Sequence, residues 1–154
     1  MISEYPEFWE SHYLNGLILY TQKRYNESLI ELNIVLKKNP NDWRAYYDRS
    51  LAYGEIDAHV AAIEDLDACI RLNPKFAAAY YSRAYWLENS ANYAAAIKDY
   101  EQNILLEPKN FDAYTGLAYT YQLSGNTPKA CETIDRAIKQ GSQAAIEMKA
   151  NICK

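Results

Sequence analysis

The sequence predicts an all-α fold built from repeated helix pairs, and three observations predict it. Pro40, Pro74 and Pro108 recur at intervals of 34 residues, each in a similar setting: Lys38-Asn39-Pro40-Asn41, Leu72-Asn73-Pro74-Lys75 and Leu106-Glu107-Pro108-Lys109. Proline cannot continue a helix, so each marks a helix end. Between the prolines, Ala, Leu, Ile and Tyr recur at spacings of three and four, the period of an amphipathic helix. The same residue types then fall at the same phase of each interval, which is the signature of a repeat architecture.

Counting each unit so that its proline stands at position 32 places the repeats at 9–42, 43–76, 77–110 and 111–144. Position 4 holds Tyr46, Tyr80 and Tyr114; position 17 holds Tyr25 and Tyr93; position 20 holds Ala62, Ala96 and Ala130; position 24 holds Leu32, Leu66, Tyr100 and Ile134. Each unit is expected to form two helices of about 14 residues, roughly 21 Å long, joined by a short polar break. Asn110 reads as the N-cap before Phe111, and Thr127 as an N-cap followed by Pro128 at the first helical position. Beyond Gln140-Gly141-Ser142, residues 143–153 read as a final helix whose apolar members are Ala144, Ile146 and Cys153. A repeat array needs such a cap to cover its last apolar face.

These positions carry the fingerprint of the tetratricopeptide repeat family, which the chain resembles over about nine tenths of its length. The resemblance implies a right-handed superhelical solenoid of about four helix-turn-helix units plus a C-terminal capping helix, in one domain covering 1–154. The sequence departs from the family pattern at Ser142, in place of a fourth proline, and at His12, where an aromatic is usual. At the turn within each repeat only Gly125 is glycine, with Lys23, Asp57 and Ala91 at the equivalent places.

In the family, positions 2, 5, 9, 12 and 13 of each first helix line an inner concave groove. They map to Tyr13, Leu17 and Tyr20 in the first repeat and to Arg44, Tyr47, Leu51 and Glu55 in the second. In the third they are Tyr81, Tyr85, Glu88 and Asn89, and in the fourth Asp112, Thr115, Tyr119 and Gln122. Tyrosine offers a large rigid face and a hydroxyl at small entropic cost, so such a surface suits recognition. The implied function is a protein-interaction module, a scaffold or adaptor that holds a peptide or helix of a partner in a groove centred on repeats two and three. A small dedicated chaperone or immunity-like inhibitor is the alternative, and an RNA-binding helical repeat a remote one. Tyr46, Tyr80 and Tyr114 are expected to pack in the core, and their neighbours Tyr47 and Tyr81 to face the groove with Tyr85, because consecutive helical residues cannot both face inward. Gly116 removes a side chain from the inner surface, leaving either a local pocket or looser packing.

One subgroup of the family grips the C-terminal carboxylate of heat-shock chaperones with Lys, Asn and Arg at set positions. Here those positions hold Tyr13, Leu17, Asp48, Ala78 and Ser82 counting from the first repeat, or Tyr47, Leu51, Ser82, Asp112 and Gly116 from the second. No chaperone-tail clamp is implied.

Position 7 carries Arg49 and Arg83, each sixteen residues before an acid, Asp65 and Asp99. The first repeat has Asn15 with Glu31, and the fourth Leu117 with Thr133. A partly buried guanidinium is tolerated only when paired. Structural ion pairs are therefore expected, within a repeat or with Arg83 reaching back to Asp65, in preference to anion receptors.

A net charge of -4 and a pI near 5.2 argue against a phosphate-backbone binder and suit a basic partner surface. The RNA-reading pentatricopeptide repeats usually have a period of 35, against 34 here. His12 and His59 lie more than a repeat apart without an evident partner, and Glu64, Asp65 and Asp67 share a second helix where a solvated face is expected. With no phosphate-cradling glycine loop, His-Glu-x-x-His or Gly-x-Ser-x-Gly, neither catalysis, cofactor nor metal is expected. Met1 to Glu7 lacks a leader pattern, and no apolar run approaches the roughly 20 residues of a membrane span. Cys69, Cys131 and Cys153 read as free thiols of a reducing, cytoplasmic compartment. Four repeats and a cap should fold as a monomer, with self-association through the aromatic groove left open.

Overall fold

In a computed structural model that describes residues 8–154, the 34-residue period resolves into pairs of helices. The leader-free reading of Met1 to Glu7 lies outside the described residues. By its internal contacts the chain divides after Pro74. The first unit holds α1 (Phe8–Thr21), α2 (Tyr25–Lys38), α3 (Trp43–Glu55) and α4 (His59–Leu72). The second holds α5 (Ala77–Asn89), α6 (Tyr93–Leu106), α7 (Phe111–Leu123), α8 (Thr127–Lys139) and α9 (Gln143–Ile152). Among the described residues there is no strand, and no helix is long and apolar enough to cross a membrane.

Small residues decide how the helices of a pair meet. Gly16, Ser50, Ala84 and Ala118 stand at position 8 of the first helices, Ser28, Ala62, Ala96 and Ala130 at position 20 of the second, and all are buried. With little side chain at either position the backbones approach closely, and the Ser28 hydroxyl donates to the Gly16 carbonyl at 2.8 Å. Position 24 supplies bulk: Leu32, Leu66, Ile134 and Tyr100 are buried at or below 2% exposure. Burying each of the aliphatic three contributes about 2 kcal/mol.

The turn between the helices of a pair keeps one geometry whatever its residue. Lys23, Asp57 and Ala91 adopt φ of 60°, 59° and 58°, in the left-handed region where Gly125 sits at 80°. Capping is local. Asp42 accepts from the backbone N–H groups of Arg44 and Ala45, and Asn110 from that of Ala113. At α8 the cap falls one residue earlier than the sequence suggests. Asn126 accepts from Lys129 N–H, and Thr127 is already helical.

The final helix also departs from expectation. In the first three repeats the residue before the next helix stands two places after the proline, at Asp42, Phe76 and Asn110; at α9 the cap is Ser142, which occupies the proline's own place. With α8 and the connection after it each one residue shorter, α9 begins two residues earlier in the repeat and turns accordingly. Ala145 is buried with Met148 and Ile152 packed beside it, whereas Ala144 and Ile146 are exposed. In this register Ala145 matches Ala45, Ala79 and Ala113, and Lys149 falls where Arg49 and Arg83 stand. Lys149 donates to Asp135 on α8 at 2.6 Å.

Cys131 of α8 and Cys153 are joined in a disulfide with Cα atoms 5.7 Å apart, so these two are not free thiols. The pairing arises because α9 folds back along α8, a proximity that a separation of 22 residues does not reveal. The inference of a reducing compartment from three free thiols falls with it. Cys69 alone is free, and burial pushes its thiol up to about 12, which leaves it unreactive.

Candidate functional site

The site is built on the helices that open each pair. Their buried positions face the second helices, and the opposite side carries the residues mapped to the groove. None of those fifteen is buried: Arg44, Glu55, Tyr85, Asn89, Asp112, Thr115, Tyr119 and Gln122 are exposed, while Tyr13, Leu17, Tyr20, Tyr47, Leu51, Tyr81 and Glu88 are half-buried. Their core-facing neighbours differ from expectation. Only Tyr114 is buried; Tyr46 and Tyr80 are half-buried beneath Arg49 and Arg83, whose guanidinium carbons lie 5.6 and 5.8 Å from the ring centroids. A cation one turn along from the ring needs access to solvent, and the ring shares it.

In the first unit, α1 and α3 are tied across this face by bonds between residues 35 apart. The Tyr13 hydroxyl donates to Asp48 at 2.6 Å, and the Tyr20 hydroxyl to Glu55 at 3.5 Å. Arg44 forks onto Asp42 at 3.1 Å through two nitrogens and lies 5.8 Å from the Tyr13 ring centroid. Burial and the Asp48 bond hold the Tyr13 phenol far above its ordinary range. Burial also raises the Asp48 carboxyl, against the opposing effect of the Tyr13 bond. The polar groups of this face largely satisfy one another.

The second unit is different. Tyr81, Tyr85 and Tyr119 make no side-chain hydrogen bond to any described residue. Glu88 reaches across to the Thr120 hydroxyl, which also lies 2.8 Å from the Gly116 carbonyl. Gly116 leaves no pocket, because the Tyr100 ring fills its place: a Cβ there would stand 2.5 Å from Tyr100 Cζ. A shallow depression in this unit, lined by Lys98, Glu101, Leu105 and Arg136, contains none of the groove residues.

Arg49 and Arg83 fork onto Asp65 and Asp99 of their own repeats, and Arg49 also donates to Asn33. In the first repeat Glu31 takes the acid's place, accepting from Asn15 at 2.8 Å and contacting His12 Nδ1. In the fourth, Leu117 and Thr133 are buried without charge. His12 therefore has a partner, and His59 Nε2 lies 3.6 Å from Asp57. Among the described residues no three of His, Cys, Asp and Glu gather as metal ligands.

Asp48, Tyr100 and Thr120 also belong to these faces, although the position rules of the first helices do not select them. For Asp48 a signal existed in the 35-residue offset that it shares with the Tyr20 and Glu55 pair. Tyr100 lies on a second helix, and only the contact with Gly116 reveals its reach.

The chain belongs to the tetratricopeptide repeat family, whose model matches residues 13–75 and 81–145. That family is one of protein-interaction modules. Among solved structures, the crystal structure of MamA is similar at a TM-score of 0.84 and 25% identity, over 95% of this chain and 82% of that one. The first TPR of Spaghetti (RPAP3), bound to the HSP90 peptide SRMEEVD, is similar at 0.76 and 23% identity, over 81% of this chain and 99% of that one. YrrB, described as a TPR protein with an unusual peptide-binding site, is similar at 0.81 and 19% identity, over 94% and 75% of the two chains. No curated protein matches the sequence.

Proposed function

We propose that the chain binds a peptide or helix of a partner protein on the tyrosine-rich faces of its first-of-pair helices. Tyr13, Leu17, Tyr20, Arg44, Tyr47 and Leu51 serve in the first unit, and Tyr81, Tyr85, Glu88, Asn89, Tyr119 and Gln122 in the second. The carrying observation is that Tyr85 and Tyr119 stay 45% and 48% exposed while residues on the opposite side of the same helices are fully buried. Large aromatic rings left open to water on rigid helices are what a recognition surface offers a partner. Peptide binding by the Spaghetti domain and by YrrB supports the reading for this fold. The ligand differs from the chaperone tail, because Asp112 places a carboxylate where a tail-binding groove needs a lysine, and Asp48 one where it needs an asparagine. The peptide SRMEEVD is expected not to bind.

The test begins with partners recovered from a native lysate on the tagged chain, followed by calorimetry with the recovered partner. Tyr47→Ala with Tyr81→Ala should weaken binding by about 1 to 2 kcal/mol per site, and wild-type affinity in that double variant overturns the proposal. Stoichiometry separates the roles: two partners held at once mark a scaffold, and one sequestered partner marks a dedicated chaperone or inhibitor.

A further inference from the structure

Tyr100 stands where the other repeats carry Leu32, Leu66 and Ile134. An aliphatic side chain serves the core at that position, so the phenol oxygen is an addition that packing does not require. The ring is 2% exposed and lies on the backbone of Gly116, where a Cβ would meet its hydroxyl oxygen at 2.8 Å. Its centroid is 5.8 Å from that of Tyr81, edge to face, and Glu88, Tyr81 and Tyr85 are its electrostatic neighbours. Glycine at 116 thus lets a core tyrosine extend its polar end toward the groove residues of α5. That hydroxyl makes no hydrogen bond to any described residue. Every enclosed side-chain nitrogen or oxygen among the described residues has a partner, so this oxygen keeps contact with solvent. A buried phenol ordinarily satisfies its hydroxyl.

Charge supplies an independent observation. Helices α5 and α7 carry Glu88 and Asp112 and a single cation, Arg83, which is forked onto Asp99. Asp112 makes no ion pair among the described residues, and Glu88 engages Thr120 through one oxygen only. In the first unit the acids of this face, Asp48 and Glu55, are met by tyrosine hydroxyls, and Asp42 by the fork of Arg44.

Resting on the proposed interaction function, we infer that the α5–α7 face is a receptor for a lysine or arginine side chain presented by a basic segment of the partner. An ammonium or guanidinium donates to the Tyr100 oxygen and to the open oxygen of Glu88, and its charge balances Glu88 and Asp112. Its stem lies along the Tyr81 and Tyr85 rings, whose π-faces attract the cation. A carboxylate would meet two like charges here, and an apolar group would leave the phenol and the carboxylate unpaired.

The test is an NMR titration of the full chain, labelled in backbone ¹⁵N and tyrosine ¹³C, with acetyl-Gly-Arg-Gly-amide, acetyl-Gly-Lys-Gly-amide and acetyl-Gly-Glu-Gly-amide at low salt. The cationic peptides should move the Tyr81, Tyr85 and Tyr100 ring signals and the Thr120 amide saturably, and the glutamate peptide should not. Glu88→Gln keeps the bond to Thr120 and should weaken binding about ten-fold. Tyr100→Phe keeps the ring and should weaken it about five-fold with an unchanged melting temperature. Shifts spread over all acidic surfaces, an equal response to the glutamate peptide, no saturable response, or unaltered affinity in both variants overturn the inference. If a recovered partner is lost on Tyr81→Ala but held with full affinity by Glu88→Gln and Tyr100→Phe, this inference fails while the interaction function stands. If none of the groove variants affects the partner, both fail.

Discussion

Arg49 and Asp65 join the two helices of a repeat through a two-point fork, Nε donating to one carboxylate oxygen at 2.7 Å and Nη2 to the other at 2.6 Å. Arg83 and Asp99 repeat the geometry at 2.6 and 2.7 Å. The acids are nearly enclosed, with side chains 6% and 8% exposed, while the arginines keep 18% and 21%. Burial raises the Asp65 carboxyl even against the pull of Arg49, so desolvation is a real cost that the fork must offset.

Removing one partner strands the other. Arg83→Ala should destabilise the chain by about 2 kcal/mol, less than for a fully buried pair because the guanidinium is partly solvated. Arg83→Lys should recover only part of this, since an ammonium cannot fork. Chemical denaturation of the three proteins is the measurement. Unchanged stability of Arg83→Ala together with lost partner binding would make Arg83 a ligand receptor instead.

Alkali should weaken the fold. Burial is the largest cause raising the hydroxyls of Tyr13, Tyr20, Tyr81, Tyr100 and Tyr121, and it pushes the Cys69 thiol up to about 12. Unfolded, these groups ionise at about 10 for tyrosine and about 8.5 for cysteine. Their contribution is complete below those values. It is lost as pH rises through the folded pKa values, because the unfolded chain releases protons that the folded chain retains. Melting temperatures followed from pH 8 to about 12 should fall steadily above about pH 9, less steeply in Tyr100→Phe; a flat profile contradicts the assignment.

The left-handed turns offer a stabilising substitution. Ala91 sits at φ 58° with a Cβ that this conformation disfavours. Ala91→Gly should gain about 1 kcal/mol. Conversely, Gly125→Ala, at φ 80° with nothing within 4 Å of the new Cβ, should lose about as much through strain alone. Opposite shifts in melting temperature are expected, and shifts of the same sign would show that other contacts govern the turn.

The disulfide fastens the capping helix. Closing a loop over a separation of 22 residues should contribute about 3 kcal/mol. A thiol reductant should therefore lower the melting temperature of the wild-type chain and leave Cys131→Ser with Cys153→Ser unaffected. Equal sensitivity of both proteins would place the effect elsewhere.

The sequence by itself determined the helical repeat, its phase and its family, because a period of 34 residues and the position of each proline are properties of local spacing. Small residues at position 20 and bulk at position 24 follow from the same count. What spacing cannot express is which surfaces a turn brings together, and there the tertiary structure decided. Two residues missing before α9 rotate its apolar stripe from Ala144 and Ile146 to Ala145 and Met148 and carry Cys153 to Cys131. Lys23, Asp57 and Ala91 take the glycine conformation because the packed helix pairs on either side impose it, at a strain each repeat can bear. Whether Gly116 leaves a pocket depended on a residue of another helix. Tyr100 fills that space and carries its hydroxyl toward Glu88, Tyr81 and Tyr85, a relationship that exists only once α6 lies against α7.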